Sequence, residues 1–136
     1  DKKTEGGGLP SDNSILVYAI VQNRAEIVRE LLKRAAPGSL DRLDKNGLTP
    51  LMYAVTRNHA TVTRELLEAG VNVDKPDKYG RTPLMAAANS GKPDMIAMLL
   101  QAGADVNLPS PEGDTALDIA RRKNRNVAIS ILTRAY

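Results

Sequence analysis

Few side chains in this chain are of a type that does chemistry. His59 is the only histidine and there is no cysteine, so disulfides, cysteine-ligated zinc or iron and multi-histidine metal centres are all excluded. His59 falls in the turn between two apolar segments, beside Asn58 and Thr61. No acidic residue stands at a spacing that would orient it as a general base, so it reads as a surface turn residue. Gly6, Gly7 and Gly8 match a phosphate-cradling loop only by composition: no GK[ST] follows and no strand precedes them, and they read as part of a flexible leader over residues 1–11. The carboxylates Asp74, Asp77, Asp105 and Glu112 lie in segments punctuated by Pro and Gly, where acidic side chains close turns by bonding nearby backbone N–H groups. None of these groups forms a catalytic set. No enzyme activity, metal or cofactor is expected.

The elements around these residues must come from a chain of 136 residues, 42% hydrophobic and 26% charged, enough for one globular domain with a real core. Aromatics are 3%, all four of them Tyr, so the core is built from Leu, Ile, Val, Met and Ala, which favours closely packed helices. No apolar run approaches the roughly 20 residues of a membrane helix. The net charge of +3, from 19 basic and 16 acidic groups, is too small to make the whole chain a nucleic-acid binder, which would need a continuous basic stripe or stacking platform.

Periodicity decides the fold. Gly47, Gly80 and Gly113 are spaced by 33, and the same step links Thr49, Thr82 and Thr115, Leu51, Leu84 and Leu117, Ala54, Ala87 and Ala120, and Leu66, Leu99 and Leu132. Toward the N-terminus the step is 35, pairing Ala54 with Ala19 and Leu51 with Leu16. The two extra residues fall within 35–44, a connection containing Pro37 and Gly38, which absorbs an insertion without disturbing packed faces.

Each unit reads as two short helices. Thr49 and Thr82 cap the first, and Pro50 and Pro83 occupy its first turn, where a missing N–H costs nothing. Asn58 or Gly91 ends it. In the second helix Val62, Leu66 and Leu67, and likewise Met95, Leu99 and Leu100, form one apolar stripe that is closed by Gly70 and Gly103. Pro93 marks its start in the third unit. The segments 71–79 and 104–112 then lead to Gly80 and Gly113 as projecting hairpin-like turns.

These residues resemble the ankyrin repeat family. Thr49-Pro50-Leu51-Met52-x-Ala54, Thr82-Pro83-Leu84-Met85-x-Ala87 and Leu99-Leu100-x-x-Gly103-Ala104-Asp105-Val106-Asn107 follow its pattern at its period. The resemblance implies an all-α solenoid with β-hairpin-like loops, covering residues 12–136 as four units of about 12–44, 45–78, 79–111 and 112–136. The end units depart from the pattern, with Ser14-Ile15-Leu16 replacing the capped motif in the first and Thr115-Ala116-Leu117 losing the Pro in the fourth. Where the family has His after the Leu, this chain has Met52, Met85 and Asp118, so the hydrogen bonds of that His are expected to be missing. The Asp105-Val106-Asn107 context also looks like the site of asparaginyl hydroxylation in animal ankyrin repeats, an expectation confined to a chain made in an animal cell.

The resemblance further implies a non-catalytic module that binds another protein or peptide through its concave face and hairpin tips. The family's contact positions fall here on Lys45, Asn46 and Leu48, on Tyr53 and Arg57, on Lys78, Tyr79 and Arg81, on Asn89, and on Glu112 and Asp114. Tyr18, Tyr53 and Tyr79 are expected on this surface rather than in the core, since Tyr and Arg are the usual interface anchors. Arg121, Arg122, Lys123 and Arg125 form a basic cluster that suits a partner with acidic groups, or that simply complements a helix C-terminus and keeps a terminal unit polar. An inhibitor or immunity-type protein, or a targeting module of a larger chain, would use the same surface. No small-molecule substrate, nucleic acid or membrane is expected. Self-assembly needs an exposed apolar end, and the last helix closes with Ser130-Ile131-Leu132-Thr133-Arg134, polar on its outer side, so a monomer is expected. The chain opens on Asp1 rather than Met, as an excised domain or a processed chain does; a cytoplasmic location is expected, or a periplasmic or secreted one if Asp1 is a processed end.

Overall fold

The computed structural model describes residues 13–36 and 38–135; the expected leader over residues 1–11 lies outside them. Eight α-helices follow one another in pairs: α1 (Ser14–Val21) with α2 (Ala25–Lys33), α3 (Pro50–Thr56) with α4 (Ala60–Glu68), α5 (Pro83–Ser90) with α6 (Pro93–Gln101), and α7 (Ala116–Arg122) with α8 (Asn126–Arg134). No strand occurs among the described residues. The first helices stack as one row, α1 on α3 on α5 on α7, and the second helices as another. Each pair is thus walled by its neighbours, and the chain is a four-unit solenoid.

Local chemistry sets the boundaries as the sequence predicts. Thr49, Thr82 and Thr115 each accept at Oγ1 a bond from the backbone N–H three residues on, and Pro50 and Pro83 sit in the first turn. In the last unit Asp118 adds a reciprocal bond, accepting the Thr115 N–H at 3.0 Å, a capping box the sequence analysis missed. That bond holds the Asp118 carboxyl below its ordinary pKa. The residues ending the first helices, Asn23, Asn58, Gly91 and Asn124, all have positive φ between 57° and 68°. They occupy one repeat position, and only Asn, Asp or Gly enters that conformation readily. Gly70 and Gly103 close α4 and α6 with φ of 88° and 95°. In the connection between the first two units lies a 3-10 turn, Ser39–Asp41, anchored to the start of α1 by the Asn13 side-chain amide, which donates to the Ser39 carbonyl at 2.7 Å.

The core runs the length of the stack. Ile20, Val55 and Ala88 from the first helices, and Val62, Leu66, Met95, Ile96, Leu99 and Leu132 from the second, are essentially closed to solvent. Leu67 and Leu100 pack against this core but are only half-buried, so the second-helix stripe is narrower than its spacing suggests.

Candidate functional site

Three turns project from the stack on the side of the first helices. Each is closed by one residue at a 33-residue interval. Asp44 Oδ1 accepts from the Asn46 and Leu48 N–H groups at 2.9 and 3.1 Å, and Asp77 Oδ1 from those of Tyr79 and Arg81 at 2.9 and 3.0 Å. Ser110 Oγ accepts from the Asp114 N–H at 3.3 Å. Backbone bonds reinforce them, as in Asp77 N–H to the Arg81 carbonyl. The hairpins are therefore tied turns without strands; Asp77 serves turn geometry as expected, and Asp44 and Ser110 take the same role in the turns before and after it. Successive turns also touch: the Lys78 N–H donates to the Gly47 carbonyl at 2.9 Å. A Cβ on Gly47 would lie 2.3 Å from the Lys78 side chain, and one on Gly80 2.5 Å from Pro111. Both glycines are required by this approach as well as by their positive φ.

Between the turns and the first helices runs a groove. One part, about 280 Å³, is lined by Leu48, Arg81, Asn89, Glu112 and Asp114 among the expected contact residues. Its floor includes Met52, Met85 and Ile119, which sequence reasoning had not placed there, although Met52 and Met85 stand where the family's His was missed. A second part, about 500 Å³, lies beside the first unit and includes Lys45, Asn46 and the Tyr53 edge. Leu48 borders both. Outside the groove's lining, Tyr79 projects with 58% of its surface exposed, its ring flanked by the Lys78 ammonium at 5.2 Å and the Arg81 guanidinium at 5.5 Å. Arg81 thus joins the exposed ring to the groove wall.

Tyr53 departs from expectation. It is 6% exposed and part of the core; its hydroxyl donates to Asp44 Oδ2 and accepts from the Asn46 side-chain amide at 3.0 Å. It joins α3 to the preceding turn and offers a partner little surface. Arg57, expected at the groove, lies over the Tyr53 ring at 5.6 Å. Tyr18 is 68% exposed but belongs to the outer end of the stack, away from the groove lining. The basic cluster is partly engaged within the molecule. Arg122 pairs with Asp114 at 2.7 Å, and Arg125 donates to the Asn89 carbonyl at 3.1 Å while its side chain lies against Gly91. Arg121 and Arg122 fill the last turn of α7 and Lys123 is its C-cap, which is the helix-terminus arrangement. His59 precedes α4 and is half-buried rather than free on the surface, with Nε2 3.3 Å from the Val21 carbonyl of the unit before.

These contacts predict a pH profile. Burial pushes the Asp44 carboxyl up, but the bonds from the Tyr53 hydroxyl and the Leu48 and Asn46 amides outweigh it and hold its pKa below the ordinary value. The Tyr53 phenol is pushed above its ordinary value by burial and by the neighbouring Asp44 carboxylate, against the Asn46 bond. A carboxylate depressed in the folded state contributes stability that is present above about pH 4 and is lost as pH falls through the lower folded value. A phenol raised in the folded state contributes stability that is present below about pH 10 and is lost as pH rises through the higher folded value. Thermal denaturation followed across pH should therefore show losses at both extremes. Asp44→Asn should flatten the acid arm, and Tyr53→Phe the alkaline arm; arms unchanged in both variants would remove this pair from the pH dependence.

A stack of helix pairs with a groove running beside a row of tied turns is a repeat scaffold. The match to known families gives the same answer from an independent direction: the description "ankyrin repeats (3 copies)" matches residues 16–110 and again 74–135. The chain belongs to the ankyrin repeat family, whose members are generally non-catalytic protein–protein interaction modules. No curated protein matches the chain. Among the described residues no helix is long and apolar enough to cross a membrane.

Proposed function

We propose that this domain is a non-catalytic binding module that holds a partner protein or peptide along the groove between its first helices and its turns. The observation that carries the proposal is convergence. Leu48, Arg81, Asn89, Glu112 and Asp114 come from three different units and line one continuous depression, with the exposed Tyr79 attached to its wall through Arg81. A framework that fixes these positions while leaving the side chains exposed supports recognition. Tyr79 and Arg81 are of the residue types that dominate interface energetics. The Lys78 and Arg81 cations beside the ring favour a partner segment with acidic groups, whereas Glu112 at the far end, next to the internally paired Asp114 and Arg122, favours a basic residue there.

The test is affinity capture with the full chain beside Tyr79→Ala and Arg81→Ala variants, partners being identified by mass spectrometry and their affinities then measured. Loss of either anchor should weaken the complex by about 1–3 kcal/mol with an unchanged thermal midpoint, since both side chains are exposed. A partner held equally by all three chains would move the binding surface off this face.

A further inference from the structure

One pairing of turn and first helix recurs along the stack and is left half-made in the middle. Asp44, Asp77 and Ser110 stand 33 residues apart at the turns, and Tyr53, Ala86 and Ile119 stand 33 apart on α3, α5 and α7. In the first pair, Asp44 Oδ1 takes the turn amides and Oδ2 takes the hydroxyl of the buried Tyr53. In the last pair both groups are replaced: Ser110 Oγ ties the turn and Ile119 is buried. The middle pair keeps the carboxylate and lacks the phenol. Asp77 is only 9% exposed. Its Oδ1 accepts from the Tyr79 and Arg81 amides, while Oδ2 accepts no hydrogen bond among the described residues. Every fully enclosed side-chain polar atom among those residues has a partner, so Oδ2 is open, and Asp77 and Ala86 line the same depression of about 280 Å³.

We propose that this half-made pair receives one tyrosine side chain of the partner, seated over Ala86 with its hydroxyl donating to Asp77 Oδ2 as the Tyr53 hydroxyl donates to Asp44. The inference rests on the groove reading above and names what the groove takes. Ala86 leaves the room, being half-buried and the smallest of the three residues at its repeat position. The floor of Met52, Met85 and Ile119 suits a ring, since thioethers pack favourably against aromatic groups. A lysine or arginine is opposed by Arg81, which lines the same space, as does Arg122, already paired with Asp114. A phenylalanine would fill the space but strip Oδ2 of water and give it no donor. The hydroxyl therefore carries the specificity, because a site built around a hydrogen bond rejects the analogue that cannot make it.

Titration of the full chain with para-cresol, the tyrosine side chain alone, followed by NMR, tests the proposal. The probe should saturate and shift the Met52 and Met85 methyls and the Tyr79 and Arg81 amides. It should bind about tenfold more tightly than toluene, which lacks the hydroxyl. Ala86→Tyr, which supplies the ring from within, should keep its helical circular dichroism and lose the probe. Asp77→Ser, which ties its turn as Ser110 does, should bind para-cresol and toluene alike. The proposal is overturned if the wild type gives no saturable response, binds toluene as tightly as para-cresol, or prefers butylammonium, the cationic end of a lysine; these comparisons need no variant to fold. Probe binding that survives Ala86→Tyr overturns it equally. The probe needs no partner, so failure here leaves the groove to its own test, whereas a partner held equally by Tyr79→Ala and Arg81→Ala would take the tyrosine site down with the groove.

Discussion

Leu99→Ala should lower the stability of the domain by about 2–5 kcal/mol. Leu99 is fully closed to solvent on α6, in a unit with a neighbour on each side, so truncation leaves a cavity that relaxation of one neighbour cannot fill. Against a total of about 5–15 kcal/mol for a domain of ordinary stability, this takes a large share, and at roughly 4 °C per kcal/mol the thermal midpoint should fall by about 8–20 °C. Two comparisons make the prediction specific. Leu100→Ala, next in sequence but half-buried, should cost clearly less. Leu132→Ala removes an equally buried side chain but from a unit with one neighbour, so it should loosen α8 and expose its amides to hydrogen exchange while the inner units stay protected. Leu99→Ala melting with the wild type would mean that the 33-residue register is wrong.

That register was legible because it is written in residues whose roles are local. A Thr that caps and a Pro that fills the first turn act within four residues, and their recurrence at 33 fixes the helix starts whatever lies around them. The Asp44, Asp77 and Ser110 series was written just as plainly and could have been found from its spacing. What the spacing did not carry were contacts between units and the effect of a unit's place in the stack. Arg125 meets the Asn89 carbonyl across 36 positions, and His59 meets the Val21 carbonyl across 38. Both follow from how pairs of helices stack. The first described unit is the same kind of case: Ile27 is 50% exposed and Val62, its counterpart one unit on, is closed to solvent, because burial at this position depends on the unit packed against it. Leu48, Arg81, Asn89, Glu112 and Asp114 do line the groove, but Tyr53 belongs to the core, since its environment depends on Asp44 nine residues away reaching its hydroxyl.

Tyr53 therefore separates stability from recognition. Tyr53→Ala should cost about 3–5 kcal/mol, the range for emptying a buried aromatic site, and the loss should appear in denaturant titration with no partner present. Tyr53→Phe keeps the ring and its packing and removes only the hydroxyl that donates to Asp44 and accepts from Asn46, which should cost about 0.5–1.5 kcal/mol. The difference between the two measures the ring, and the smaller figure measures the tie between α3 and the turn before it. The same tie positions Asn46 and Leu48, which border the groove, so Tyr53→Phe should weaken partner binding through the turn rather than through lost contact. Hydrogen exchange can see this directly: the Asn46 and Leu48 amides that bond Asp44 should lose protection in Tyr53→Phe, while the matching Tyr79 and Arg81 amides on Asp77 should keep theirs. If Tyr53→Ala denatured with the wild type, the ring would have to be an exposed contact after all, and the groove would have to be redrawn around it.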